Sequence, residues 1–178
     1  MARLVSLALC ASLALGIGIQ AASAAQVRAD FFFATPDGPG GPVGSAIIRD
    51  SAEGARFDLD LHGLPPGQHG FHVHQNGSCA AIMKDSKIMP AGAAGGHLDP
   101  AMTGMHEGPL GMGHLGDLPA LTVGADGSDH ETLLAPRLKD VALLAGHSLM
   151  IHVGGDNYSD KPLPLGGGGA RLACAVMK

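Results

Sequence analysis

Aromatic residues are scarce: the 178-residue chain has no tryptophan, one tyrosine and five phenylalanines. With 28 glycines and 12 prolines, its composition favours turns over long helices. Basic residues are also few, 11 Lys and Arg against 16 Asp and Glu. No long basic run occurs, so no nucleic-acid partner is expected. There is no internal repeat and no sign of a second domain. Gly166-Gly167-Gly168-Gly169 lacks a following Gly-Lys-Ser/Thr, which excludes a phosphate loop and leaves a hinge into the last strand. What the chain has in excess is histidine, ten residues in a length that suits one domain with a real core.

The one long apolar run lies at the start. Arg3 precedes the apolar stretch Leu4 to Ile19, and Ala22-Ser23-Ala24 follows as a small-residue cleavage site. Residues 1–25 therefore read as a signal peptide removed after Ala24 or Ala25, with a membrane anchor as the alternative, residues 26–178 as the mature domain, and the periplasm as its destination. No membrane contact is expected once the signal is gone. Its removal takes one arginine, leaving ten basic residues against 16 acidic ones and a charge of −6. It also takes Cys10, leaving Cys79 and Cys174. An even pair in an exported chain suggests one disulfide, with two buried free thiols as the alternative.

Short β-like runs recur in the mature chain. Gln26 to Ala34 is followed by a break at Pro36 to Pro42, then by Val43 to Arg49 and Ala55 to His62. In the last of these Phe57, Leu59 and Leu61 alternate with Asp58 and Asp60, the period of a half-buried strand. The short run that carries His72 and His74, then Leu118 to Val123, Glu131 to Leu134, Ser148 to Val153 and Ala170 to Met177 complete the set. About eight short strands predict an all-β fold, an antiparallel Greek-key sandwich or flattened barrel. Two long segments, Asn76 to Gly116 and Gly154 to Gly169, carry no strand pattern and read as functional loops.

Phe71-His72-Val73-His74 places two imidazoles two residues apart, on one face of a strand. That is half a site for a metal that favours nitrogen. His97, His106, His114, Asp117 and His152 are the further candidate ligands. His114-Leu115-Gly116-Asp117 offers a compact bite for zinc. His152 lies in an apolar strand where an unpartnered imidazole is costly to bury.

These motifs, with Gly96-His97-Leu98-Asp99-Pro100, Gly154 to Asp160 and Gly168 to Cys174, resemble the copper-zinc superoxide dismutases, the exported bacterial branch in particular. The resemblance spans essentially the whole mature chain. It implies one copper and one zinc per subunit, with superoxide as substrate. Copper would be held by His72, His74, His97 and His152. Zinc would be held by His97, His106, His114 and Asp117, with His97 bridging both ions and carrying a proton. Asp156 matches the aspartate that hydrogen-bonds a histidine of each set, His72 and His106. Cys79 and Cys174 match the family disulfide, and Arg171 the arginine that guides the anion to copper. Relatives occur as monomers and dimers, so a homodimer is left open.

Lys84, Lys87 and Lys161 are candidates for a guiding positive field. His69 is expected to be structural, and His62, His130 and His147 to be surface or turn residues. Met83, Met89, Met102, Met105 and Met112 are expected to fill apolar space in the first long loop, with copper acquisition through their thioethers as the alternative. Met112, between two zinc-type ligands, departs from the polar residue common in relatives. The alternative function on the same fold is an exported copper or zinc storage or delivery protein, which needs neither Arg171 nor a complete bridged site. A zinc hydrolase is excluded, because three histidines and Asp117 leave no open position for water.

Overall fold

The alternating run at Ala55 to Leu61 buries Phe57, Leu59 and Leu61 and turns Arg56 and Asp60 to solvent. The same period buries Val27, Ala29 and Phe31 in the first strand. These rows build the inner face of one curled antiparallel sheet in the computed structural model, which describes residues 25–178. The expected signal peptide, but for Ala25, lies outside the described residues.

The strands in chain order are β1 (Gln26–Thr35), β2 (Gly38–Ser51), β3 (Gly54–Leu61), β4 (Gly67–His69), β5 (Phe71–His74), β6 (Ile82–Lys84), β7 (Lys87–Met89), β8 (Leu121–Val123), β9 (Thr132–Ala135), β10 (Ser148–His152) and β11 (Arg171–Val176). Seven of them form the main sheet in the order β5-β10-β11-β1-β2-β3-β9, while β4 pairs with β8 and β6 with β7. This is the all-β antiparallel class expected. Among the described residues, no helix is long and apolar enough to cross a membrane. Phenylalanine is scarce but central: the Phe71 ring meets Phe57 edge-on at 5.9 Å and Phe31 at 6.3 Å.

Two local expectations fail for identifiable reasons. The break at Pro36 to Pro42 is only a two-residue turn at Pro36 and Asp37, and β2 resumes at Gly38. Pro39 and Pro42 lie opposite Ala34 and Phe32, where register shifts take up residues that cannot donate to the ladder. Inside the first long loop, β6 and β7 form a hairpin. Its turn residues Asp85 and Ser86 have φ of 49° and 61°, the left-handed pair that suits a tight hairpin. Three-residue arms with almost no buried face leave no periodicity to detect.

β5 lies at one end of the sheet order, paired on one side with β10. Its other edge is covered by loop backbone. Val73 N–H donates to Gly116 O at 2.9 Å, and Val73 O accepts from Leu98 N–H at 2.8 Å. The bridges His74 to His97 and His72 to Asp117 run along this edge. An exposed β edge is thus closed by the segments that carry His97 and Asp117.

Candidate metal centre

All four residues of β5 are buried. Phe71 and Val73 enter the core, and the alternation sends His72 and His74 to the opposite face. Met150 of β10 lies opposite His72, and His152, at the end of β10, pairs with Arg171 of β11. The cross-strand register therefore brings His152 and Arg171 up beside the β5 histidines.

The hydrogen bonds of each ring determine which nitrogen is left free. His72 Nε2 donates to Asp156 Oδ2 at 2.8 Å, His74 Nδ1 to Gly95 O at 3.0 Å, and His152 Nδ1 to Gly169 O at 3.2 Å. Each ring then points an unprotonated nitrogen inward. His72 Nδ1, His74 Nε2, His97 Nε2 and His152 Nε2 are buried without any hydrogen-bond partner. One ligand atom from each of these four residues falls within 4.8 Å of all the others. Burying four converging lone pairs with nothing between them is unfavourable, and a cation bound by nitrogen removes the penalty. An all-nitrogen set suits copper.

The second set shares His97. His97 Nδ1 and His106 Nδ1 each approach Asp117 Oδ1 at 2.9 Å, and His114 Nδ1 does so at 3.3 Å. Donors about 2.0–2.1 Å from a tetrahedral zinc sit roughly 3.3 Å apart. Three imidazoles and one carboxylate at these separations fit zinc. His97 consequently presents Nδ1 to one set and Nε2 to the other. Asp156 ties the two sets from behind, accepting from His72 Nε2 and, at 2.8 Å, from His106 Nε2. Gly166, at φ 70°, packs against this carboxylate so closely that an added Cβ would overlap it.

Charge follows the same division. Burial holds His72 below its ordinary pKa and His74 well below it, and lowers His97 to about 4 and His152 to about 3. The copper-type set is thus free of extra protons at neutral pH. Burial would also lower His106, but the carboxylates of Asp117 and Asp156 beside its ring outweigh it and raise this imidazole to about 9. Burial would raise both carboxyls, yet their histidine partners hold them well below the usual carboxylate range.

A cleft of about 690 Å³ opens onto the first set, with His74, His97, His152 and Arg171 in its wall. His72, His106, His114 and Asp117 do not line it. Arg171 donates through both terminal nitrogens to the carbonyls of Ala91 and Gly95, which hold the guanidinium in place. Those carbonyls belong to the loop stapled by the Cys79–Cys174 disulfide, whose Cα atoms are 5.8 Å apart. The pair expected from the cysteine count is therefore joined. Lys84 and Lys87 of the hairpin stand at the cleft with Asp85, whereas Lys161 is not among the lining residues.

Three positioning residues went unnoticed in the sequence. Arg137 donates to the carbonyls of Gly113 and His114 at 2.8 and 3.0 Å, clamping one ligand loop. Asp160 accepts from His106 N–H at 2.9 Å, and Tyr158 Oη accepts from Ala120 N–H at 3.0 Å. Asp160 and Tyr158 lie in the Gly154 to Asp160 motif; Arg137 carries no local signal. His69 is buried between the carbonyls of His152 and Pro65 and joins neither set. The methionines do not fill the loop as expected: Met83, Met102, Met105 and Met112 are exposed, and only Met89 is half-buried, at the cleft. Met112 points outward, so its departure from relatives leaves the ligand set intact.

A buried N₃O set sharing one imidazole with a four-nitrogen set, on a curled antiparallel sheet, defines a two-metal class of protein in which solvent reaches one of the two ligand sets. Comparison narrows this class. Residues 43–177 match the family model for copper/zinc superoxide dismutase (SODC). The superoxide dismutase [Cu-Zn] of Brucella abortus is 54% identical over 157 residues, 88% of this chain and 91% of that one. The solved Brucella abortus enzyme superposes with a TM-score of 0.85, covering 86% of this chain and 100% of that one. The monomeric Salmonella enterica enzyme gives a TM-score of 0.78 at 52% identity, covering 86% of this chain and all of that one. The chain belongs to the copper/zinc superoxide dismutase family.

Proposed function

We propose that residues 26–178 act as an exported superoxide dismutase. Residues 1–25 direct the chain to the periplasm and are removed. Copper is held by His72, His74, His97 and His152, and zinc by His97, His106, His114 and Asp117. Bound copper, alternating between Cu(II) and Cu(I), would supply the electron exchange that turns two superoxide ions and two protons into dioxygen and hydrogen peroxide, and zinc would supply structure.

The remaining work falls to the chain. The net charge of −6 after signal removal repels an anion at long range. The cleft reverses this locally, with Lys84, Lys87 and Arg171 against Asp85, and concave walls focus such a field. Arg171, pinned by Ala91 O and Gly95 O, offers the anion a fixed guanidinium beside the solvent-reached histidines. Burial lowers its pKa, but a guanidinium stays charged at any working pH. His97 Nε2 takes a proton in one half of the cycle and returns it to the product in the other. Asp156 holds the His72 and His106 rings in the orientation that exposes their Nδ1 atoms. Each chain carries both sets complete, so a homodimer would hold two independent centres.

The observation that carries this reading is His97, whose two ring nitrogens face two different ligand sets. Purified mature protein loaded with copper and zinc is expected to dismutate superoxide. Arg171→Ala should slow the reaction without changing metal content. Full loading with no activity above free-copper background would overturn the reading in favour of storage.

A further inference from the structure

Outside the buried centre, one more group of metal-type side chains converges among the described residues. Asp60, His62 and His130 each offer one ligand atom, all within 4.8 Å of one another. None belongs to the sets above. β3 and β9 lie at the opposite end of the sheet order from β5.

Strand geometry accounts for the convergence. Asp60 and His62 are two residues apart at the end of β3, hence on the same outward face. His62 keeps to the strand path by donating its N–H to Val43 O at 2.7 Å. Leu61 and Asp129 exchange both backbone bonds at 3.0 Å, so the next pair along, Asp60 with His130, is of the non-hydrogen-bonded kind. Side chains approach closest in such pairs. Asp60 Oδ1 lies 3.1 Å from His130 Nδ1 and 3.6 Å from His62 Nε2. These distances bracket the roughly 3.3 Å edge of a tetrahedral zinc shell. An ordinary carboxylate–imidazole pair needs one histidine; here two converge on a single oxygen, with ring centroids 5.6 Å apart.

We propose that Asp60, His62 and His130 form a third metal site, open to solvent, for a divalent ion of the zinc or copper type. Two imidazoles among three donors select late transition ions over calcium or magnesium. The side chains are 59–65% exposed, so water completes the shell. The ion therefore exchanges more readily than those in the buried sets, and protein exposed to excess metal carries three ions per chain rather than two.

The test is a count that does not depend on activity. Protein already holding one copper and one zinc is titrated with zinc by calorimetry, and bound metal is counted by equilibrium dialysis against free zinc. Wild type should take up a third equivalent. The double variant His62→Ala with His130→Ala should lose it while keeping both buried ions, and His147→Ala, at a half-buried histidine outside this cluster, should retain all three. A wild type that binds only two ions overturns the proposal, as does a double variant that still binds the third. If the double variant also sheds a buried ion, His130→Ala alone is judged by the same two criteria.

Discussion

Asp156→Asn tests whether one carboxylate orients both ligand sets. Its two oxygens accept from His72 Nε2 and His106 Nε2, each at 2.8 Å. An asparagine can accept from one ring, but it must turn its own N–H groups toward the other. One charge-assisted bond is lost, and a bond of this kind contributes about 1.5–3 kcal/mol. That corresponds to roughly 10- to 150-fold in metal affinity, in line with the ~10–100-fold typical when a partner of a ligand histidine is removed. Zinc should suffer more than copper. The His106 ring faces the carboxylates of Asp117 and Asp156, and its pKa of about 9 reflects both. Copper keeps His74 and His152, whose rings are oriented by backbone carbonyls. The assay is competition of metal-free wild type and variant against a chromophoric chelator, for each ion separately. Unchanged affinity for both ions in a folded variant would refute the orienting role of Asp156.

With the ions removed, stability should fall as pH drops below neutrality. An unfolded chain protonates His97 and His152 near their ordinary 6.5, whereas the folded one resists until about 4 and 3. The unfolded state thus binds more protons in that window, and stability rises with pH across it. His106 works in the opposite sense, its contribution being full below 6.5 and lost as pH climbs through about 9. Urea unfolding at pH 5 and pH 7 checks this, and equal stability at both would count against it. Replacing Cys79 and Cys174 together by serine opens a loop spanning 95 residues. It should remove about 4–5 kcal/mol and loosen the carbonyls that hold Arg171. Two alkyl adducts on folded wild type without reductant would contradict the bridge. Gly116→Ala would drive a Cβ into Val73 O and to within 2.9 Å of Leu98 N, lifting a ligand loop off β5. Zinc content and melting temperature should both drop, and no change in either would sink this account.

Much of the centre was legible because the relevant signals are local. Period-two alternation turned His72 and His74 to one face without any partner strand. The glycine-spaced pair His114 and Asp117 needed only four residues to read. Features that depend on distant pairing were not. Arg137 reaches His114 from 23 residues away through a side chain with nothing distinctive around it. The β6–β7 hairpin, too short to alternate, passed for loop. The prolines of β2 read as a break because the bulges that accommodate them belong to the pairing with β1.

Composition, residue chemistry and local period by themselves determined the all-β class, the paired cysteines and the identity of the candidate ligands. Only the tertiary structure decided which nitrogen of each ring is free, because that depends on hydrogen bonds made across long stretches of chain, such as the 84 residues between His72 and Asp156. It alone set His97 between two ligand groups. It also brought His130 opposite Asp60, turning two histidines that looked like plain surface residues into a cluster. The physical reason is common to all three: a ring's tautomer and a strand's register are settled by partners far away in sequence, and folding is what chooses them.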